Sequence, residues 1–197
     1  MLRYLLLASL GMSAACSGPQ ASNPCDDIDT ILSASTEPVP FESLITEQAK
    51  FESGAIIANS WATRAELFGK SCKLGSIKPF GGDNPDIQIL TCELESGMLK
   101  EEEAKAAFES AASQFKSCLG EEWATREPSS NGPDDQNLIF ERAADKTRQA
   151  DFSMYAYPIQ IKYSNKPQKR NGRASGPATP KAEIVFQFHR AASESEE

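Results

Sequence analysis

The stretch IQILTCELESGMLKEEEAKAAFESAASQFKSCL, Ile87–Leu119, decides the fold. Its first eight residues read as a strand, Glu95-Ser96-Gly97 as a turn, and the remainder as the clearest helix in the chain. From about Met98 to Leu119 the apolar residues fall at Ala104, Ala107/Phe108, Ala111/Ala112, Phe115 and Cys118/Leu119, the three-four spacing of one buried helical stripe. Glu101, Glu102, Glu103 and Glu109 lie toward its start and Lys116 near its end, which suits the helix dipole. Ser96 is the expected N-cap and Gly120 the expected C-cap. The alanines predict close packing across one face of a sheet, with Phe108 and Phe115 as anchors. Each buried ring contributes about 2–3 kcal/mol, so Phe108→Ala is expected to cost more than any change among the glutamates.

Working upstream, Gly81-Gly82-Asp83-Asn84 is a turn and Cys72–Ile77 a short strand. Gly69-Lys70 turns into it from a strand near Ala62–Phe68. Two short helices are expected before that, Asp26–Ala34 and about Phe41–Phe51, separated by Glu37-Pro38-Val39-Pro40. Downstream, Glu121–Glu127, Asn137–Arg142, about Gln149–Tyr163 and Ala182–Arg190 read as strands. Pro158 implies an edge position or a bulge, and SSNGPDDQ has loop chemistry. The expected fold is α+β: a mostly antiparallel sheet packed on one face by a long helix (about 98–119), with short N-terminal helices.

Residues 1–15 read as a secretory signal peptide, with Arg3 as its basic region and YLLLASLGM as a short apolar run. That run is too short to span a bilayer. Ser13-Ala14-Ala15-Cys16 admits two readings. It fits an ordinary small-x-small cleavage site, and it also resembles the lipobox of bacterial lipoproteins, which implies that Cys16 is acylated and becomes the N-terminus. Ser13 stands where a lipobox usually has Leu.

Cysteine parity bears on the choice. The chain has five cysteines; with Cys16 lipidated, Cys25, Cys72, Cys92 and Cys118 can form two disulfides in an oxidising compartment. Cys72 and Cys92 flank the 81–84 turn almost symmetrically, so a hairpin would oppose them. A helix rising 1.5 Å per residue carries Cys118 far from Cys92, and a disulfide tolerates a Cα separation of only about 4.4–6.8 Å. The preferred set is Cys72–Cys92 with Cys25–Cys118. The domain organisation is then a signal peptide over 1–15, a flexible tether over 16–24, a single α+β domain over 25–190 and a disordered acidic tail over 191–197.

The formal charge of −8 argues against nucleic acid as a partner and against nonspecific binding of the whole surface to anionic membrane. Losing Arg3 with the leader leaves 19 basic against 28 acidic residues, a net −9. Against that background Lys162, Lys166, Lys169, Arg170, Arg173 and Lys181 fall within one segment that has no acid. Its Pro, Gly, Ser and Asn content makes Ser164–Pro180 a long hairpin loop. The loop is either a docking element for an anionic lipid, cell-wall polymer or acidic protein, or a charged connector.

The remaining chemistry is sparse. His189, the only histidine, is expected as an exposed residue on the polar side of the last strand. With one His and paired cysteines the usual zinc ligand sets are missing, and there is no phosphate loop, dinucleotide fingerprint or HExxH motif; neither metal nor cofactor is expected. Glu101-Glu102-Glu103 and Asp134-Asp135 read as solvated carboxylates. Tyr155, Tyr157 and Tyr163 fall at even spacing on one expected strand, as a binding row or a covered second face.

No catalytic residue emerges, and the expected function is a non-enzymatic envelope protein, in the periplasm or anchored at Cys16 to the membrane. Its partner is an unidentified protein or envelope component. The alternative is a periplasmic inhibitor or immunity protein that neutralises a cationic, lysozyme-like enzyme by charge complementarity. A hydrolase is the third class, without a nucleophile–base pair to support it.

Overall fold

A computed structural model describes residues 23–79, 85–95, 100–126, 134–150, 152, 154–170 and 173–190, with residues 95, 167–170 and 173–177 described by backbone alone. The elements in chain order are α1 (Pro24–Ala34), β1 (Ile45–Lys50), β2 (Ile56–Leu67), β3 (Lys70–Ile77), β4 (Ile87–Glu95), α2 (Glu101–Cys118), β5 (Ala124–Arg126), β6 (Asp135–Glu141), α3 (Ala143–Arg148), β7 (Ile159–Ser164), β8 (Pro167–Arg170), β9 (Arg173–Ala178) and β10 (Lys181–His189). Eight strands form one sheet in the order β1-β2-β3-β4-β10-β7-β6-β5, every pair antiparallel, and β8 with β9 forms a separate two-stranded ribbon. The fold is therefore α+β on a large antiparallel sheet. The last strand lies in the middle of it, between β4 and β7.

Period-two alternation puts Leu74, Leu90, Ile184, Ile161 and Leu138 on one face, where they join a single buried cluster. Both α1 and α2 cover that face: Ile28 and Ile31 from the first and Ala111 and Phe115 from the second belong to the same cluster. Phe115 is fully buried, its ring 5.9 Å from Phe140, 6.1 Å from Phe186 and 6.2 Å from Phe68. Phe108 is only half-buried, beside Tyr163 at 6.5 Å. Of the two expected anchors, Phe115 carries the packing, because Phe108 sits near the margin of the sheet.

The two ends of the sheet differ. Ile77, Ile87 and His189 are register partners at one end, with the β1–β2 turn beyond Lys50 and Ile56 at that same end. Lys181, Ser164 and Asp135 are partners at the other. Helix α2 starts at this second end, where Asn165 Nδ2 donates to Glu101 Oε2 at 3.0 Å. It runs across the sheet to Phe115, beside Phe68, Phe140 and Phe186, and its last residue, Cys118, is bonded to Cys25 of α1; the other disulfide is Cys72–Cys92.

Several expectations are corrected. The segment expected as a second helix, 41–51, is a 3₁₀ turn (Glu42–Leu44) followed by β1. Phe41 adopts a left-handed backbone, φ 67°, and packs against Phe188 at 5.8 Å; its apolar spacing serves a corner, not a helical stripe. The strand expected at 62–68 begins at Ile56, and the one expected at 121–127 begins only at Ala124. Helix α2 begins at Glu101 behind Lys100 and ends at Cys118, with Leu119 instead of Gly120 as its C-cap. Residues 149–163 are not one strand. Helix α3 precedes them, residues 154–158 are irregular, and among the described residues only Ile159–Ser164 pairs, as an interior strand rather than an edge. Met154 is exposed and Ala156 buried, so the apolar alternation does not mark one face, and side-chain bonds hold the chain here: Gln149 Nε2 donates to Ala156 O at 3.0 Å, and Ala156 N–H donates to Gln149 Oε1 at 2.7 Å. The leader, Cys16, the tether, the 81–84 turn, Ser96 and the acidic tail lie outside the described residues.

Candidate functional site

The six cations of the basic segment do not act as one loop. Lys162 and Lys181 belong to the eight-stranded sheet, at register positions beside Glu183 and Ser164. The Lys181 ammonium lies 2.7 Å from Glu183 and 3.5 Å from Glu93. Burial works to lower its pKa, but Glu183 and Glu93 together outweigh it and hold the group above its usual value. Lys166 follows β7 and is paired with Asp135 of β6. Only Lys169, Arg170 and Arg173 stand on the β8–β9 ribbon.

The segment expected as a loop over 164–180 is thus largely a β-ribbon. Lys169 pairs with Ala174 and Arg170 with Arg173, so two arginines hold directly opposed register positions on either side of Asn171-Gly172. Asn-Gly between two extended runs is a strong short-range hairpin signal and is what makes the ribbon legible in sequence. The ribbon's root is tied to the domain. Asn165 N–H donates to the Asp134 carbonyl at 2.8 Å, its side chain donates to Glu101, and Lys166 pairs with Asp135. Two of the carboxylates read as freely solvated, Glu101 and Asp135, therefore help to hold the ribbon, and Asp134 does so through its main-chain carbonyl. Glu101 also pairs with Lys105, which raises the lysine chiefly through that hydrogen bond. Lys105 lies 5.7 Å over the Tyr163 ring.

A second polar cluster, not foreseen from sequence, fastens α3 to the sheet. The Glu141 and Asp145 side chains are each 3 % exposed. Lys146 lies 2.8 Å and Arg126 3.8 Å from Glu141. Arg142 binds Asp145 through two nitrogens at 2.9 and 3.1 Å, with Arg148 at 3.5 Å. Tyr155 donates to Glu141 at 3.3 Å; burial, then the charge of Glu141, push its phenol up to about 12. Arg142 stacks over Trp123 at 4.5 Å and Arg126 over Tyr157 at 5.0 Å. Each carboxylate is already matched by two cations, so the arrangement locks structure. Tyr155, Tyr157 and Tyr163 do not form the exposed row that was one of their two readings: Tyr155 and Tyr157 stack here at 5.1 Å, whereas Tyr163 is fully buried on β7.

His189 is corrected too. It is 5 % exposed, with Nδ1 3.3 Å from the Pro85 carbonyl, Nε2 3.1 Å from the Met154 carbonyl and the Phe152 ring at 4.4 Å. Burial lowers its pKa against those two carbonyls, which raise it. Phe152 and Met154, which sequence alternation assigned to a strand, lie against it. A shallow hollow of about 370 Å³ lies on the outer face of β2–β4, around Gly75, Ile77, Ile89 and Lys73. Among the described residues no cluster of His, Cys, Asp and Glu has the makings of a metal site, and no helix is long and apolar enough to cross a membrane. No protein-family model, curated protein or solved structure matches the chain.

Proposed function

We propose that this chain is an exported bacterial envelope protein, lipid-anchored at Cys16, that performs no chemistry and holds an anionic envelope component through its basic ribbon. The observation that carries this reading is the opposition of Arg170 and Arg173 on a ribbon with a fixed root. Like charges facing each other across a ribbon repel, and an isolated two-stranded ribbon is marginal in water. An anion between them relieves the repulsion. The clamp at Asn165 and Lys166 reduces the ordering cost of binding. Two disulfides suit an oxidising compartment, and the leader and cysteine parity supply the anchor.

The test is crosslinking and capture from the native envelope with the wild-type protein and with Lys169→Ser/Arg170→Ser/Arg173→Ser. An anionic component recovered by the first and lost by the second supports the reading. The same catch by both proteins overturns it, and capture of a cationic lytic enzyme favours an inhibitor instead.

A further inference from the structure

We infer that the hollow on the outer face of β2–β4 is a binding site for a pyranose ring that carries a carboxylate. Its floor is built on Gly75, in the interior of β3, between Ser60 of β2 and Ile89 of β4 in the register. A glycine inside a strand weakens it and commonly marks the close approach of another group. No described part of the chain requires this one. Gly75 is not among the glycines with a left-handed backbone. A Cβ there would meet only the Asn59 and Ile89 carbonyl oxygens, at 3.8 and 3.9 Å, which is ordinary contact. That Cβ would stand in the floor of the hollow, so its absence serves whatever settles there.

The walls narrow the chemistry of the ligand. Ile77 and Ile89 give the floor an apolar margin, while Asn59, Ser60, Lys73 and Thr91 stand around it. Lys73 lies between Ala62 and Thr91 in the register, two residues along β3 from Gly75 and so on the same face. Asn59 has a left-handed backbone, φ 51°, which asparagine adopts more readily than most residues. The side chains of Asn59, Ser60, Lys73 and Thr91 make no hydrogen bond or ion pair among the described residues, so the fold does not use them. Glu93, two residues beyond Thr91, is taken by Lys181 at 3.5 Å, which leaves the Lys73 ammonium for a ligand. The hollow is shallow and about 370 Å³ in volume, and it suits a ligand apolar on one face and polar around its edge. A few convergent polar groups on an apolar floor are the usual make-up of a small-molecule site. A pyranose has that character: its C–H face can lie on Gly75 and Ile89 while its hydroxyls meet the amide and the two side-chain hydroxyls. A carboxylate on the ring adds a charge-assisted bond to Lys73. The site is independent of the ribbon reading, since none of these residues lies on β8 or β9.

The experiment is an amide chemical-shift titration of the full mature protein with D-glucuronic acid and with N-acetylmuramic acid. Each is run beside its uncharged counterpart, D-glucose or N-acetylglucosamine. Saturable shifts are expected at Ser60, Gly75, Ile89 and Thr91. The acids should bind about tenfold more tightly than the neutral sugars, the worth of one charge-assisted hydrogen bond. A response to either acid supports the site, and the tighter of the two tells a uronic-acid polymer from cell-wall glycan as the source. Gly75→Ala should melt no lower than the wild type, because alanine suits a strand better than glycine and its Cβ meets no clash. Its binding should nonetheless weaken by about tenfold, because the Cβ fills the floor. Lys73→Ser should bind an acid no better than its neutral counterpart. Lys169→Ser/Arg170→Ser/Arg173→Ser should bind as the wild type does, so that failure of the ribbon and failure of this site are read separately. The proposal is overturned by unmoved amides at all four positions with both acids, by equal binding of acid and neutral sugar to the wild type, or by undiminished binding of the acids to Gly75→Ala or Lys73→Ser.

Discussion

Cys25, in the first turn of α1, is bonded to Cys118, the last residue of α2, with Cα atoms 5.1 Å apart and 93 residues of sequence between them. The bond closes four of the sheet's eight strands, β1 to β4, into one loop and fixes where the chain enters the domain. Cys72–Cys92 joins register partners on neighbouring strands only 20 residues apart. In the chain-entropy account the two bridges restrict the unfolded state by about 4.6 and 3.3 kcal/mol respectively. Paired Cys→Ala variants in urea are therefore expected to lose more stability at Cys25/Cys118 than at Cys72/Cys92. The reverse order would mean that packing of the buried Cys72–Cys92 pair outweighs loop closure.

Phe115→Ala is expected to cost about 3–5 kcal/mol, the range for emptying a filled aromatic site. Phe108→Ala is expected to cost well under half of that, because the ring keeps one side in water. Chemical denaturation of both variants checks the order. Equal losses would show that Phe108 is as firmly packed as Phe115.

His189 gives the chain a pH dependence of known sign. Its folded pKa lies below the ordinary 6.5, chiefly through burial. On acidification the unfolded chain takes up a proton near pH 6.5, before the folded one does, so stability falls below that point until the folded group titrates. His189→Gln should remove this component. The measurement is the difference in unfolding free energy between the two proteins from pH 7.5 to 5. A wild-type advantage that grows on acidification would contradict the buried, neutral imidazole.

What the sequence made legible follows physical range. The 3.6-residue period of α2 and the symmetric placement of Cys72 and Cys92 about residues 81–84 are local signals, and both elements lie where those signals put them. The segments 41–51 and 149–163 carry equally good local periodicity, but tertiary bonds override it: Phe41 turns a corner onto Phe188, and Gln149 holds Ala156 by side-chain hydrogen bonds. The burial of Glu141 and His189 depends on partners brought in from other elements, Arg126 and Lys146 for the first and the Pro85 and Met154 carbonyls for the second. The ribbon was partly visible, since its charges are a compositional fact. Its strands follow from Asn171-Gly172, a signal that composition alone obscures.

The central claim, that the ribbon's cations dock an anionic envelope component, is tested most directly by retention on purified cell-wall sacculi across a salt series. The wild-type protein is compared with Lys169→Ser/Arg170→Ser/Arg173→Ser, with the melting temperature of each recorded alongside. Exposed charges act over a Debye length of about 10 Å at 0.1 M salt, so wild-type retention should fall steeply as salt rises. The variant should not be retained at any salt, and its melting temperature should hold, since solvated charges change stability by less than about 0.5 kcal/mol. Equal, salt-independent retention of the two proteins would contradict the claim.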